Sequence, residues 1–235
     1  MEKIRLDKFL SNQLNISRSE IRKQIKRGRA SLNGKVVTDF GTTVFPQIDE
    51  VLFENEKVNY KKFIYILMNK PAGVLSASRD KSAKTVIDLI PENLKRKNLF
   101  TVGRLDKDTT GLLIITDDGA FAHNCITPGK NVKKVYLASL DGALDLSAAK
   151  EFEKGIVLSD GYKCRPAMLQ ILKDNKARVT VTEGKYHQVK RMFKAVGINV
   201  TSLHRESVGK LELPLNLAPG ECEELLDGRE KLACL

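Results

Sequence analysis

The chain has 235 residues, 42% hydrophobic and 29% charged, with 40 Lys and Arg against 29 Asp and Glu for a net charge of +11. That composition excludes a disordered or fibrous chain and allows a sizeable core. No apolar run approaches the roughly 18 residues of a membrane span, and Ile4 to Ile16 is too charged for a secretory signal, so a cytoplasmic protein without membrane contact is expected. Cys125, Cys164, Cys222 and Cys234 form no CxxC pair and have no metal-ligand spacing, which predicts reduced, packed thiols.

The positive charge is concentrated near the start. Residues 1–38 carry ten Lys and Arg against three acids, whereas the last fifteen residues carry a net charge of −3. An asymmetry of this size points to a polyanionic partner at the N-terminal end. Leu6, Phe9, Leu10 and Leu14 fit an amphipathic helix. In SRSEIRKQIKRG, Ser17 and Glu20 have capping-box spacing and Gly28 stands where a helix stops. Ile21 and Ile25 would face a core, while Arg18, Arg22 and Lys26 form a basic stripe turned away from it. Two short strands follow, joined at Asn33-Gly34, a pair suited to a tight reversal.

Two short helices with a basic stripe, followed by this strand unit, resemble the S4 RNA-binding module. RLDKFLSNQLNISRSEIRKQIKRGRASLNGKVV carries the resemblance, which spans Ile4 to Phe53. It implies that Arg18, Arg22 and Lys26 meet RNA phosphates and read the shape of a folded RNA. We expect this domain over 1–58, a linker over 59–62 and a second domain over 63–235.

The second region opens with FIYILMNKPAGVLSA, an apolar strand ended by a Lys-Pro turn. Further strands are predicted at Leu112–Thr116, Lys134–Leu140, Met168–Leu172 and Ala177–Thr182, and helices at Ser147–Lys154 and His187–Ala195. Strands without regular βα alternation predict an α+β domain with a mixed, mainly antiparallel sheet.

Within it, GRLDKDTTGLLIITDDG can be read in two ways. From Asp106 it approaches a calcium loop, but the ninth position is Ile114, inside an apolar block that reads as a buried strand. The alternative takes Arg104 and Asp106, two residues apart and bounded by Gly103 and Gly111, as side chains leaving one face of an exposed loop. A loop carboxylate at the mouth of a rigid sheet can serve as a nucleophile, although such aspartates more often turn or cap.

The same stretch closely resembles the G-R-L-D-x-x-T-x-G-L-L-L-x-T-x-D-G signature of the RsuA/RluA-type pseudouridine synthases. KKVYLASL resembles the K-x-Y strand of that family, and EGKYHQVKRMFKAVG resembles the E-G-[KR]-x-x-Q-V-[KR]-R-M segment of its RsuA branch. NKPAGVLSA and LHRESVGKLEL agree as well, so the resemblance covers nearly the whole chain. It implies a catalytic domain with a central cleft, in which Asp106 is the nucleophile and Arg104 holds a flipped nucleotide. Tyr136 would lie against the uracil and take part in late proton removal, Lys190 would be the basic partner of Asp106, and Val189 an apolar wall. Gln188 would be a polar group of the pocket.

Pseudouridylation rearranges atoms already present, so no cofactor or metal is expected. His123, His187 and His204 lack metal spacing and are expected to position or pack. Asp108, Asp117 and Asp118 are expected to turn or cap. Tyr186-His187 favours a small-subunit (16S) rRNA target within the branch. The expected partner is ribosomal RNA or an assembling ribosomal subunit, and the expected state a monomer. The rival readings are a 23S rRNA synthase, an RNA-binding assembly factor without turnover, and a hydrolase pairing Asp106 with Asp108.

Overall fold

The computed structural model describes residues 2–226 and 228–234, which form two compact units. One holds the residues up to Phe63 together with Glu92–Asn98. The other holds Ile64–Pro91 and the described residues from Leu99 onward.

In the first unit, β1 (Ile4–Arg5) leads directly into α1 (Leu6–Gln13), and α2 (Arg18–Lys26) follows. The Ser17 side chain accepts from the Glu20 amide at 3.2 Å, so the start of α2 is capped as its sequence predicts. Ile21 and Ile25 are fully buried against Leu6, Phe9 and Leu10, worth about 1.5–3 kcal/mol for each side chain. β2 (Ala30–Leu32) and β3 (Lys35–Val37) pair across Asn33 and Gly34, both with positive φ. That twist matches a two-residue hairpin. β4 (Thr43–Val44) pairs with β1, and β5 (Val51–Phe53) with β2 and β6 (Glu56–Lys57). Tyr60 stacks on Phe9, and the Lys61 amide donates to Gln13, so these two residues are tied to this unit. The Glu92–Asn98 segment is anchored by Lys97, which donates to Ser11 Oγ and to the Ile16 carbonyl.

The second unit is built on a nine-stranded sheet. Its strands are β7 (Tyr65–Lys70), β8 (Phe100–Thr101), β9 (Thr110–Thr116), β10 (Lys134–Leu140), β11 (Met168–Ile171), β12 (Lys176–Val181), β13 (Val200–Val208), β14 (Leu211–Glu212) and β15 (Cys222–Glu224). The main order is β11-β12-β10-β13-β9-β7-β15, with β14 on β13 and β8 on β9. Every pairing is antiparallel except β9 with β13, which run parallel over His204–Thr110 and Arg205–Gly111. The sheet is thus mixed and mainly antiparallel, in an α+β unit with α3 (Gly119–Ile126), α4 (Ser147–Lys154) and α5 (Gln188–Ala195). Asp118 caps α3, accepting from the Ala120 and Phe121 amides at 3.0 Å.

β9 is buried over Gly111–Thr116, as a strand covered on both faces must be. The position that would ligate calcium, Ile114, lies inside it and packs with Leu67, Leu112 and Val208. Gly111 has φ +102, and a Cβ there would stand 2.3 Å from the Arg205 carbonyl oxygen. Gly111→Ala is therefore expected to destabilise the protein by about 3 kcal/mol or more, read from urea unfolding. A loss under 1 kcal/mol would mean that the β9–β13 approach is loose.

The cysteine expectation needs correcting at two positions. Cys125 on α3 and Cys234 in the C-terminal 3-10 helix, 109 residues apart, form a disulfide inside the core that also holds Val208 and Leu211. Local spacing carries no sign of this pairing, because it arises only when that short helix packs onto α3. Cys164 and Cys222 are free thiols.

Candidate active site and basic surface

The loop from Gly103 to Thr109 stands before β9 and brings Arg104 and Asp106 to one cleft. Tyr136 of β10, Val181 of β12, Leu203 of β13 and the 183–190 segment form the remaining walls. The cleft thus gathers Arg104, Asp106, Tyr136, Gln188, Val189 and Lys190 from positions up to 86 residues apart.

Asp106 lies between two basic side chains. Lys190 Nζ is 3.3 Å from one carboxylate oxygen, and His187 Nε2 is 3.4 Å from the other. Lys190 also donates to Asp108 Oδ1 at 2.6 Å. Burial works to lower the Lys190 pKa, but the bonds and charges of Asp108 and Asp106 outweigh it and hold the ammonium charged. Asp108 is held below the usual carboxylate range, chiefly by Lys190. It is therefore an ion-pair partner here and not simply a turn residue. The lysine reaches the cleft because Met192 and Phe193 seat another face of α5 in the core, with Phe193 against Phe152 of α4. His187 occupies the position before the helix in the left-handed region, φ +48, with its ring stacked on Tyr186.

The other expected residues divide by how they are held. Tyr136 and Val189 are buried, 8% and 5% exposed, and turn apolar surface toward the cleft. Arg104 is exposed. Gln188 lines the cleft, but its amide is occupied within the segment: Nε2 donates to Glu183 at 2.7 Å, and Oε1 accepts from the Lys185 amide at 2.9 Å. Glu183 in turn accepts from Tyr162 Oη and the Arg165 amide, so the loop before α5 is pinned at several points.

Sequence reasoning missed Lys70, although NKP stood out as a strand end. Its side chain is fully buried, and Nζ donates to the carbonyls of Pro71, Lys107 and Thr109 at 2.9, 3.2 and 2.9 Å. Burial lowers its pKa to about 8 against the pull of Asp108 and Asp106. The two loop carbonyls follow Asp106 within three residues, so one lysine sets the path of the loop that carries the carboxylate. Ser76 adds a second tether, donating to the Leu105 carbonyl and accepting from the Leu105 amide.

The basic stripe of the first unit has an organising centre. The fully buried Asp7 accepts from Arg18 Nη2 with both oxygens at 2.9 Å, from Arg22 Nε at 2.7 Å and from Arg5 Nε at 3.3 Å. Arg22, Lys26 and Arg5 also lie 5.0, 5.6 and 5.7 Å from the Phe40 ring centre. One carboxylate and one ring thus hold four cations on one patch.

Burial raises the Asp7 pKa, but the hydrogen bonds from Arg22, Arg5 and Arg18 outweigh this and bring it to about 2. Since the folded value lies below the unfolded one, the stabilisation is complete above about pH 4 and is lost as the pH falls toward 2. Asp7→Asn is expected to remove about 2 kcal/mol at neutral pH and to flatten this acid limb in thermal melts. An unchanged acid limb would show that the arginines do not depend on the carboxylate.

The sequence matches two families in chain order. Residues 4–45 match the S4 domain, and residues 64–195 match the RNA pseudouridylate synthase family, more than half of the chain. The chain belongs to the RNA pseudouridine synthases. The synthase is 42% identical to the uncharacterized RNA pseudouridine synthase YtzG of Bacillus subtilis, over 95% of each chain. It is 36% identical to the ribosomal small subunit pseudouridine synthase A of Escherichia coli K12, over 95% of this chain and 97% of that one. A crystal structure of a pseudouridylate synthase superposes with a TM-score of 0.69 at 33% identity, covering 98% of this chain and 99% of the other. The synthase is therefore an isomerase whose substrate is RNA, with an S4 domain ahead of its catalytic domain.

Proposed function

We propose that the synthase isomerises a uridine of small-subunit (16S) ribosomal RNA, alone or in an assembling subunit, with Asp106 as nucleophile. The observation that carries this reading is the Asp106 carboxylate set between Lys190 and His187, in a cleft that Tyr136 and Val189 line with apolar surface. The small-subunit target is supported by similarity to the Escherichia coli enzyme over 95% of the chain, and by Tyr186-His187 beside the carboxylate.

The reaction breaks the N1–C1′ bond of uridine, turns the freed uracil and joins it to C1′ through C5. The target base must first leave its stack, at a cost of a few kcal/mol. Arg104, exposed at the cleft mouth, fills the vacated space and binds a neighbouring phosphate with its planar fork. Lys190 sets a positive charge 3.3 Å from the Asp106 carboxylate, which offsets the loss of hydration as the incoming base displaces water. Tyr136 and Val189 hold the uracil plane, and Tyr136 Oη takes part in removing the C5 proton at the end. Arg18, Arg22 and Lys26 bind further phosphates, so replacing Arg22 and Lys26 with Ala is expected to lower the log–log salt slope of RNA binding. The reduction should be roughly 0.7–0.9 for each phosphate no longer neutralised, and an unchanged slope in filter binding from 50 to 300 mM salt would remove this patch from the interface.

The deciding experiment incubates the protein with unmodified small- and large-subunit rRNA and maps pseudouridine by carbodiimide-dependent reverse-transcription stops. A stop appearing only in small-subunit RNA, and absent with Asp106→Asn, is the expected outcome. A stop confined to large-subunit RNA would overturn the target, and turnover by Asp106→Asn would overturn the nucleophile.

A further inference from the structure

Arg205 is a buried charged group of the catalytic unit that the mechanism above leaves unused. It is 3% exposed, and among the described residues no carboxylate pairs with it. Its Nε donates to the Leu112 carbonyl at 2.7 Å, its Nη1 donates to Tyr136 Oη at 3.5 Å, and its buried Nη2 has no hydrogen-bond partner. A guanidinium buried without a counter-anion has lost hydration that nothing in the resting site replaces, and it is matched only when negative charge appears beside it.

The strand register aims this cation at the phenol. Lys134 pairs with Val208 and Val135 with Ser207, so a regular ladder would set Tyr136 opposite Glu206. A bulge between Val135 and Tyr136 sets it opposite Arg205 instead. Glu206 is released to the other side, where Arg178 binds it at 2.7 and 3.2 Å. The irregularity thus exchanges an anion for a cation across from Tyr136. Arg205 and Tyr136 also line one cavity of about 160 Å³ with Lys134 and Arg104, next to the catalytic cleft that Tyr136 shares.

We propose that Arg205 is a positioning residue that stabilises negative charge on Tyr136 Oη during the final proton transfer. The inference rests on the assignment of Tyr136 above. Once C5 has bonded to C1′, C5 still carries its hydrogen. The phenol, having yielded its proton to solvent, takes that hydrogen as a proton. The C–H electron pair restores the C5–C6 double bond, and N1 takes up a proton from solvent. Nothing is oxidised or reduced, and Tyr136 ends as a phenol. Arg205 acts only while Oη is anionic.

The test separates this step from those before it by pairing two small-subunit rRNA transcripts, one with [5-³H]uridine and one with 5-fluorouridine. Tritium release reports C5 proton removal. The fluorinated base can form the C5–C1′ bond but has no C5 proton to give, and its rearranged nucleoside is followed by nuclease digestion and mass spectrometry.

Arg205→Met is expected to slow tritium release about 100-fold while fluorouridine rearrangement and RNA affinity stay within about threefold. Arg205→Lys, which keeps a cation, should recover about tenfold of the loss, and it carries the same comparison if Arg205→Met does not fold. In a Tyr136→Phe background, Arg205→Met should add less than about twofold, because the charge it serves is gone. Equal loss on both substrates, or effects that multiply in the double variant, would overturn the inference. So would full tritium release in both Arg205 variants alongside its loss in Tyr136→Phe, with the assignment of Tyr136 left standing. Undiminished release in Tyr136→Phe itself would overturn that assignment, and this inference with it.

Discussion

Asp106→Asn is expected to lower pseudouridine formation by about 10⁴-fold or more, while RNA affinity stays within about threefold. The amide is nearly isosteric with the carboxylate but has no anionic oxygen to form a bond with the substrate. Lys190 is the reason the loss can be read as chemistry and not collapse. Its ammonium also binds Asp108 at 2.6 Å, so one anchor remains when Asp106 is neutralised. Asp108→Asn, by the same geometry, leaves Lys190 with Asp106 and should cost only about tenfold. A hydrolase using the two carboxylates as a pair would be disabled about equally by either change, and its product would differ from uridine in mass. Single-turnover assays on both variants, with mass analysis of the digested RNA, separate these outcomes.

Lys70→Met should lower kcat by about 10²–10³-fold although the side chain does not line the catalytic cleft. Three carbonyls lose a charged donor, and two of them, Lys107 and Thr109, belong to the loop that carries Asp106. The Lys107 carbonyl still accepts from the Gly73 amide at 2.8 Å, so the main loss is the buried bond to the Thr109 carbonyl. A buried carbonyl deprived of such a donor costs about 1–3 kcal/mol, enough to let the loop leave its path. The variant also tests a pH effect. The folded pKa of Lys70, about 8, lies below the unfolded value of about 10.5, so between them the unfolded chain holds more protons. The stability contributed by this site therefore rises as the pH climbs from about 8 toward 10.5, by at most about 3 kcal/mol, and Lys70→Met should abolish that rise. If urea unfolding of the two proteins shows the same slope over this range, Lys70 is not the group that titrates.

What the sequence predicts well here is what neighbours along the chain decide. Asn33-Gly34 forms its hairpin, Ser17 caps α2 and Asp118 caps α3, each through bonds between residues at most three apart. The strand at 134–140 and the helix at 147–154 have the predicted bounds, because their side-chain periods are unbroken. Family resemblance, and not periodicity, singled out Asp106, Tyr136 and Lys190, since an aspartate in a Gly-bounded loop looks alike whether it caps, turns or reacts. The features that stayed hidden depend on packing between distant parts of the chain. Lys70 gives no local hint that its ammonium will be enclosed by carbonyls up to 39 residues away. The Cys125–Cys234 bond, the sharing of Lys190 with Asp108 and the shift that brings Arg205 to Tyr136 arise in the same long-range way.

The parallel seam between β9 and β13 has a consequence for when the protein becomes active. Asp106 enters on the β9 side of that seam, while Tyr136 and Lys190 belong to elements on the β13 side. The two sets of side chains form one reactive centre only after β13 has been synthesised and has closed against Gly111. A nascent chain that already contains the carboxylate, the phenol and the lysine would still be chemically silent. Turnover therefore doubles as a report that the last long strand has docked.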